Sequence, residues 1–166
     1  MVRELSSEVI AKTRVHAPGF DEDSFRLGYL LAVAWGRLER DFEAQVHRPR
    51  GLTWGGFRLL FCLWAAGPLE TAELARLLGI STATVSSVVR TLEAKGWVER
   101  ERHTADQRRV TVRSTTAGAA LAADALQAQN ERETAWMAGL DETQRGALRA
   151  ALEHLARRPR PASGVG

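Results

Sequence analysis

The densest chemistry in the chain lies in residues 99–115, ERERHTADQRRVTVRST, where Arg100, Arg102, Arg108, Arg109 and Arg113 surround Asp106. Between Arg90 and Arg113 stand seven basic and four acidic side chains, and their difference equals the net charge of the whole chain, +3. The remainder of the sequence is balanced. Positive charge confined to one short stretch is a local footprint for a polyanion rather than a general aid to solubility. Asp106 and Arg108 are two residues apart, so on an extended arm they point to the same side. As an exposed ion pair they would add only about 0–1 kcal/mol of stability, and holding Arg108 in one rotamer is the better use for Asp106. A thin tip with a directed arginine fits the minor groove of duplex DNA, where narrow A·T segments concentrate negative potential. Arg100, Arg102 and Arg109 are placed to meet phosphates.

Other chemistry is sparse. His16, His47, His103 and His154 are scattered with no metal-ligand spacing. No phosphate-cradling loop or nucleophile elbow appears. No catalytic residue, metal or cofactor is expected, and the chain does not read as an enzyme. Cys62 is the only cysteine, which excludes an internal disulfide, and its apolar setting FCLW reads as a buried, inert thiol. The longest apolar run, around Leu30–Trp35, is too short to cross a bilayer. The start MVRELSSEVI lacks an apolar signal core, so a cytoplasmic location with no membrane partner is expected. A length of 166 residues, 45% hydrophobic and 26% charged, suits one folded core with helical extensions.

The elements that must position these arginines follow from periodicity and punctuation. Residues 1–22 read as an extension, with a short helix near Glu4–Lys12 and a break at Pro18-Gly19. Asp23 or Ser24 is expected to cap a long helix to about Val46, with Leu27, Leu31, Trp35, Leu38, Phe42 and Val46 on one seam-like face. His47-Arg48-Pro49-Arg50-Gly51 breaks it. Thr53 caps a helix ended by Gly67-Pro68, and Thr71–Leu78 is a short helix followed by a turn at Gly79. Ser81 starts a helix to Lys95, closed by Gly96. Trp97–His103 and Arg109–Thr115 read as two strands of a hairpin. A long alanine-rich helix runs from Thr116 to about Ala138, and Asp141 caps a last helix carrying Leu148, Leu152 and Leu155. The fold class is α+β, mostly α.

Residues 71–96, TAELARLLGISTATVSSVVRTLEAKG, have the spacing of a helix–turn–helix. Ala75 is small where the helices touch, Gly79 makes the turn, and Ile80, Val85 and Val88 fix the second helix against the first. On that second helix Val85, Val88, Val89 and Leu92 form one face. The opposite face carries Ala83, Ser87 and Arg90, flanked by Thr84, Ser86 and Thr91. Small hydroxyl residues let a helix approach phosphates and thymine methyls, and an arginine can reach guanine O6 and N7. Thr82, Ala83, Thr84, Ser86, Ser87 and Arg90 are therefore the candidate reading residues, and the hairpin becomes a wing beside them.

GLTWGGFRLLFCLWAAGPL, ELARLLGISTATVSSVVRTLEAKGWVER and DQRRVTVRSTTAG together resemble the MarR family of transcriptional regulators, over about Asp23 to Ala156. The resemblance implies a winged helix–turn–helix whose N- and C-terminal helices build a dimer interface. It implies a reading helix in successive major grooves, mapped onto Thr82–Arg90, and a wing pair, Asp106 and Arg108, in the minor groove. Ser114-Thr115 stands where a Leu-Thr pair is usual, a departure that bears on where the strand ends and not on the wing. Ser87 stands where a basic residue is common, which implies a base preference different from that of relatives.

The expected division is 1–22 extension, 23–52 N-terminal dimerisation helix, 53–115 winged helix–turn–helix, 116–157 C-terminal dimerisation helices and 158–166 loose tail. A two-fold homodimer would bury the apolar stripes of the first and last helices and present two reading helices to a palindrome, with half-sites about 10 bp apart. The resemblance also implies a small-molecule effector, aromatic or anionic, between dimer region and wing domain. Trp35, Trp54 and Phe61 are the candidates to line its pocket. The reading is a double-stranded DNA-binding regulator, with repression as the family's common mode. Its rival is a winged-helix protein-interaction module without DNA binding, which explains the helices but not the concentrated positive hairpin.

Overall fold

Side-chain oxygens at the helix starts set most of the element boundaries. The protein is described here from a computed structural model covering residues 9, 10, 12, 17, 19–102 and 110–158. Val9, Ile10 and Lys12 are helical, within the stretch read as a short N-terminal helix. Helix α1, Glu22–Phe42, is capped by Asp21, whose carboxylate accepts from the N–H groups of Asp23 at 3.0 Å and Ser24 at 3.1 Å. The cap thus falls earlier than expected. Asp21, Asp23 and Ser24 are all good caps, and Asp21 prevails because from outside the first turn it accepts two otherwise unpaired donors. After Phe42 the helix widens into a π-helical turn, Glu43–His47, and then tightens into a 3-10 turn, Arg48–Arg50.

Thr53 caps helix α2, Trp54–Ala66, by accepting from Gly56 N–H at 3.1 Å. Strand β1, Leu69–Glu70, leads into helix α3, Thr71–Leu78. Gly79 then adopts φ +71°, a left-handed conformation that costs glycine nothing, and its N–H closes the helix on the Ala75 carbonyl at 2.9 Å. Ser81 caps helix α4, Thr82–Ala94. Helices α3 and α4 meet at 109°, within the range of helix–turn–helix pairs.

Strands β2, Val98–Arg102, and β3, Val110–Ser114, form the hairpin in antiparallel register, with Val98 opposite Ser114 and Arg100 opposite Val112. The sheet has a third strand that the sequence reading lacks: β1 pairs with β3, Leu69 opposite Val112. Thr115 ends the hairpin and caps helix α5, Thr116–Met137, by accepting from Gly118 N–H at 3.0 Å. Asp141 and Gln144 form a capping box on helix α6, Glu142–Ala156. The whole is a winged helix–turn–helix with long helices before and after it.

The core lies where α2, α3, α4 and the sheet converge. Leu60, Leu63, Leu74, Val85, Val89, Val98 and Val112 are fully or almost fully buried there, each side chain contributing about 1.5–3 kcal/mol by leaving water. On α5, Gly118, Ala122, Ala125 and Gln129 are buried at helical spacing, a narrow seam that lets the helix lie close to its neighbours. Arg132 on α5 grips Asp41 on α1 through two bonds of 2.9 and 2.7 Å, and Trp136 Nε1 donates to the same carboxylate at 2.9 Å. Arg132 holds the Asp41 carboxyl below the usual carboxylate range.

Only the lower end of the α1 stripe is covered. Phe42 and Val46 are buried, whereas Leu27, Leu30, Leu31 and Trp35 are exposed, Leu27 at 63%. Leu148, Leu152 and Leu155 on α6 are likewise open to solvent. Together with Met137 and Leu140, two of these leucines line an apolar groove. Among the described residues no single helix is long and apolar enough to cross a membrane.

Candidate nucleic-acid interface

Helix α4 presents its polar side outward. Thr82, Ala83, Thr84, Ser87 and Arg90 are exposed and Ser86 is half-buried, while Val85, Val89 and Leu92 anchor the opposite side in the core. Two hydroxyls on this helix are already engaged. Thr84 shares a hydrogen bond of 2.8 Å with the cap hydroxyl of Ser81, and Thr91 donates to the Ser87 carbonyl at 3.2 Å. Arg90 forms no ion pair or hydrogen bond with any described residue, so its guanidinium is available to an external partner.

Two neighbours frame this helix. On one flank Ser87, Thr91 and Lys95 border a small concavity of about 150 Å³, whose far wall is Gly51, Thr53 and Gly56. Lys95 Nζ donates to the Gly51 carbonyl at 2.6 Å and lies 4.8 Å from the centre of the Trp97 ring, which fixes the end of the helix against the loop below α1. On the other flank lies the wing. Val98 and Val112 tie its base to the core, as the alternation of the strands requires.

Of the wing residues expected to touch DNA, Asp106, Arg108 and Arg109 lie outside the described residues. Arg102 closes β2 opposite Val110. Arg100 has a partner within the chain. Its guanidinium is paired with the Glu93 carboxylate of α4, which raises its pKa further. Arg113 crosses to Glu99 on the neighbouring strand at 2.6 Å. Among the described residues, Arg100 and Arg113 of this cluster therefore already have carboxylate partners, and the sequence alone does not show this.

The three pocket candidates fall on one string of rings. Trp35 meets Trp54 edge-on with centroids 5.7 Å apart, Trp54 lies 5.9 Å from Phe57, and Phe57 lies 6.0 Å from Phe61. Trp54 lines an open cleft of about 390 Å³ with Glu39, Arg40, Glu43, Thr53 and Gly55, whereas Trp35 and Phe61 are not on its wall. Glu43 holds the start of α2 by accepting from Trp54 N–H at 2.7 Å.

Beneath these rings lies a residue whose role the sequence reading lacks. His47 is wholly buried in the π-helical turn, 4.6 Å from Phe57 and 5.4 Å from Trp54, and neither ring nitrogen has a hydrogen-bond partner. Burial pushes its pKa below the ordinary 6.5, the Arg50 charge acts in the same direction, and Glu43 opposes both. Cys62 is half-buried, and burial raises its thiol pKa, in keeping with an unreactive side chain. No group of three or more metal-ligating side chains occurs among the described residues.

Comparison with known proteins gives this geometry its kin. The MarR family model matches residues 52–110, from the start of α2 to the start of β3. An uncharacterised HTH-type transcriptional regulator of Bacillus subtilis strain 168, YwaE, is 35% identical over 120 residues, which span 72% of this chain and 70% of YwaE. The chain belongs to the MarR family. It is an HTH-type transcriptional regulator, and the rival reading of an interaction module without DNA binding falls away. MgrA of Staphylococcus aureus, also an HTH-type regulator, is 29% identical over 90 residues, 54% of this chain and 61% of MgrA. Among solved structures, BpsR of Bordetella bronchiseptica superposes with a TM-score of 0.72 at 25% identity, covering 79% of this chain and 98% of BpsR. That structure concerns regulation of BpsR's DNA binding by 6-hydroxynicotinic acid. A mutant MarR from E. coli, complexed with operator DNA, shares the fold with a TM-score of 0.71 at 24% identity, covering 80% of this chain and 95% of that one. In this MarR-family chain the matched region ends at the first residue of β3, so both long helices fall outside it.

Proposed function

We propose that this regulator is a cytoplasmic homodimer that represses transcription by seating two α4 helices in successive major grooves of a palindromic operator. The observation that carries the reading is the outward face of α4. It is small and hydroxyl-bearing, with one unpartnered arginine, and stands on a helix–turn–helix of 109° beside a wing. In this reading Thr82, Ala83, Thr84, Ser86, Ser87 and Arg90 meet base edges and backbone, and Arg102, Asp106, Arg108 and Arg109 supply the wing's contacts.

The uncovered leucines of α1 and α6 support the dimer, because apolar stripes on two long helices bury together across a two-fold axis. A small-molecule effector is also part of the proposal. The cleft beside Trp54 lies where the α1 helix meets the wing domain, so a ligand there would bear on the angle between dimer region and α4. With Glu39 and Glu43 against Arg40, its lining favours an aromatic ligand over a strongly anionic one. The BpsR structure gives a precedent, in that protein, for control by a small aromatic acid.

Enrichment of random duplexes by the purified protein tests the reading. A palindrome with half-sites about 10 bp apart is expected. Failure to enrich any duplex at low ionic strength would overturn it.

A further inference from the structure

The two ion pairs within the positive cluster differ in position. Glu99 and Arg113 lie directly opposite each other on the hairpin, and both side chains are more than half exposed. Glu93 and Arg100 belong to different elements, the reading helix and the first wing strand. Arg100 stands two residues after the buried Val98 and directly opposite the buried Val112, so its side chain projects from the face of the sheet that is turned toward the body. Glu93 sits three residues after Arg90, one helical step round from the Ala83–Ser87–Arg90 line and on the same flank as Ser86. A duplex lying along that line and touching the wing must come close to both members of this pair.

The pair is not needed to hold the fold. Its side chains retain 36% and 34% of their exposure, and pairs this open add little stability. Its consequence is electrostatic. A guanidinium that faces a phosphate displaces a counterion and strengthens binding to any sequence. One already neutralised by a carboxylate does not, and the carboxylate repels the phosphate backbone besides.

We propose that Glu93 sets the regulator's affinity for duplex DNA by holding Arg100 off the phosphates, a brake that lowers sequence-independent binding. Glu93 acts through Arg100 and is not itself a base-reading residue. The inference rests on the DNA-binding reading above. Glu93→Gln keeps the shape and an acceptor oxygen but removes the charge, which frees Arg100 for a phosphate.

The test is a set of four proteins, wild type, Glu93→Gln, Arg100→Gln and the double variant, titrated against a mixed-sequence duplex by fluorescence anisotropy at about 50 and 200 mM salt. Glu93→Gln is expected to bind about three- to ten-fold more tightly at the lower salt. Its advantage should shrink about three-fold at the higher salt for each wing engaged, as a slope steeper by about 0.9 per wing requires. Arg100→Gln leaves Glu93 uncompensated and should bind no more tightly than wild type, and Glu93→Gln should gain much less in the Arg100→Gln background than alone. Unchanged or weaker binding by Glu93→Gln overturns the proposal. So does the same gain in the Arg100→Gln background, which would make it a general charge effect. Melting followed by circular dichroism should be alike for all four, and a Glu93→Gln protein that melts early would make the pair structural and sink the proposal. Wild-type protein that ignores every duplex would defeat the DNA-binding reading as well, whereas normal wild-type binding with an unmoved variant defeats the brake alone.

Discussion

Gly118 offers the sharpest test of the packing that sets the wing domain against the C-terminal helices. A Cβ added at this position would fall 1.9 Å from the Trp97 carbonyl oxygen, 2.8 Å from its carbonyl carbon and 3.2 Å from its Cα. All three are backbone atoms, so no side-chain rotation relieves the clash. The Trp97 segment is held on both sides. Its N–H donates to the Leu92 carbonyl at 3.0 Å, its carbonyl accepts from Thr115 N–H at 3.1 Å, and Thr115 Oγ1 donates to the Gly96 carbonyl at 2.8 Å. Gly118→Ala must separate α5 from the α4–β2 turn by more than 1 Å, estimated from ordinary contact distances. Overpacking of this kind costs about 1–3 kcal/mol, and loss of the Thr115 bond adds about 1 kcal/mol. Alanine's better helix propensity returns at most about 1 kcal/mol. The net expectation is a loss of about 1–3 kcal/mol, read by urea unfolding at fixed protein concentration. Gly146→Ala on α6 is the internal control. Its Cβ would meet nothing within 4 Å, so that variant should gain about 0.5–1 kcal/mol. Equal stability of Gly118→Ala and wild type would refute the packing described for this junction.

Three further perturbations address other links in the chain from fold to function. His47 is neutral in the fold, with its pKa depressed below the ordinary 6.5. The unfolded chain therefore binds a proton that the folded one resists, and stability should fall as pH drops below 6.5, by at most about 1.4 kcal/mol per pH unit. His47→Phe should flatten the dependence between about pH 7 and 5.5; urea midpoints that decline as steeply as wild type would contradict this. Leu152→Glu on α6 places a charge in the exposed leucine stripe and should convert the proposed dimer to monomer in light scattering, while a dimer unaffected by the change would place the interface elsewhere. Arg108→Ala should weaken operator binding by about 1–3 kcal/mol without changing circular dichroism, and retained affinity would remove the wing tip from the contact.

Much of this architecture is legible in the residues because it is decided locally. Thr53, Ser81 and Asp141 cap their helices where a hydroxyl or carboxylate precedes an apolar period, and Gly79 marks its turn because few other residues accept that φ. The exposed face of α4 is legible because three valines and a leucine fix its orientation. What eludes the sequence depends on distant partners. Leu69–Glu70 is too short to show any alternation, and β3 makes it a strand by pairing. The π-helical turn leaves the four-residue step from Phe42 to Val46 intact, so the burial of His47 leaves no trace in the pattern. Arg100 counts as a free cation in any sum of charges, and only the approach of β2 to α4 reveals Glu93 as its partner. The apolar stripes of the first and last helices are visible in both, as leucines in the sequence and as uncovered leucines on the fold.

The central claim is that the outward face of α4 reads duplex DNA, and Arg90 is its unpartnered cation. Anisotropy titration of wild-type and Arg90→Ala protein on the enriched operator and on mixed-sequence duplex measures this directly. The expected result is a loss of about 1–3 kcal/mol on the operator with a smaller loss on mixed sequence. Equal affinities of the two proteins for the operator would contradict it.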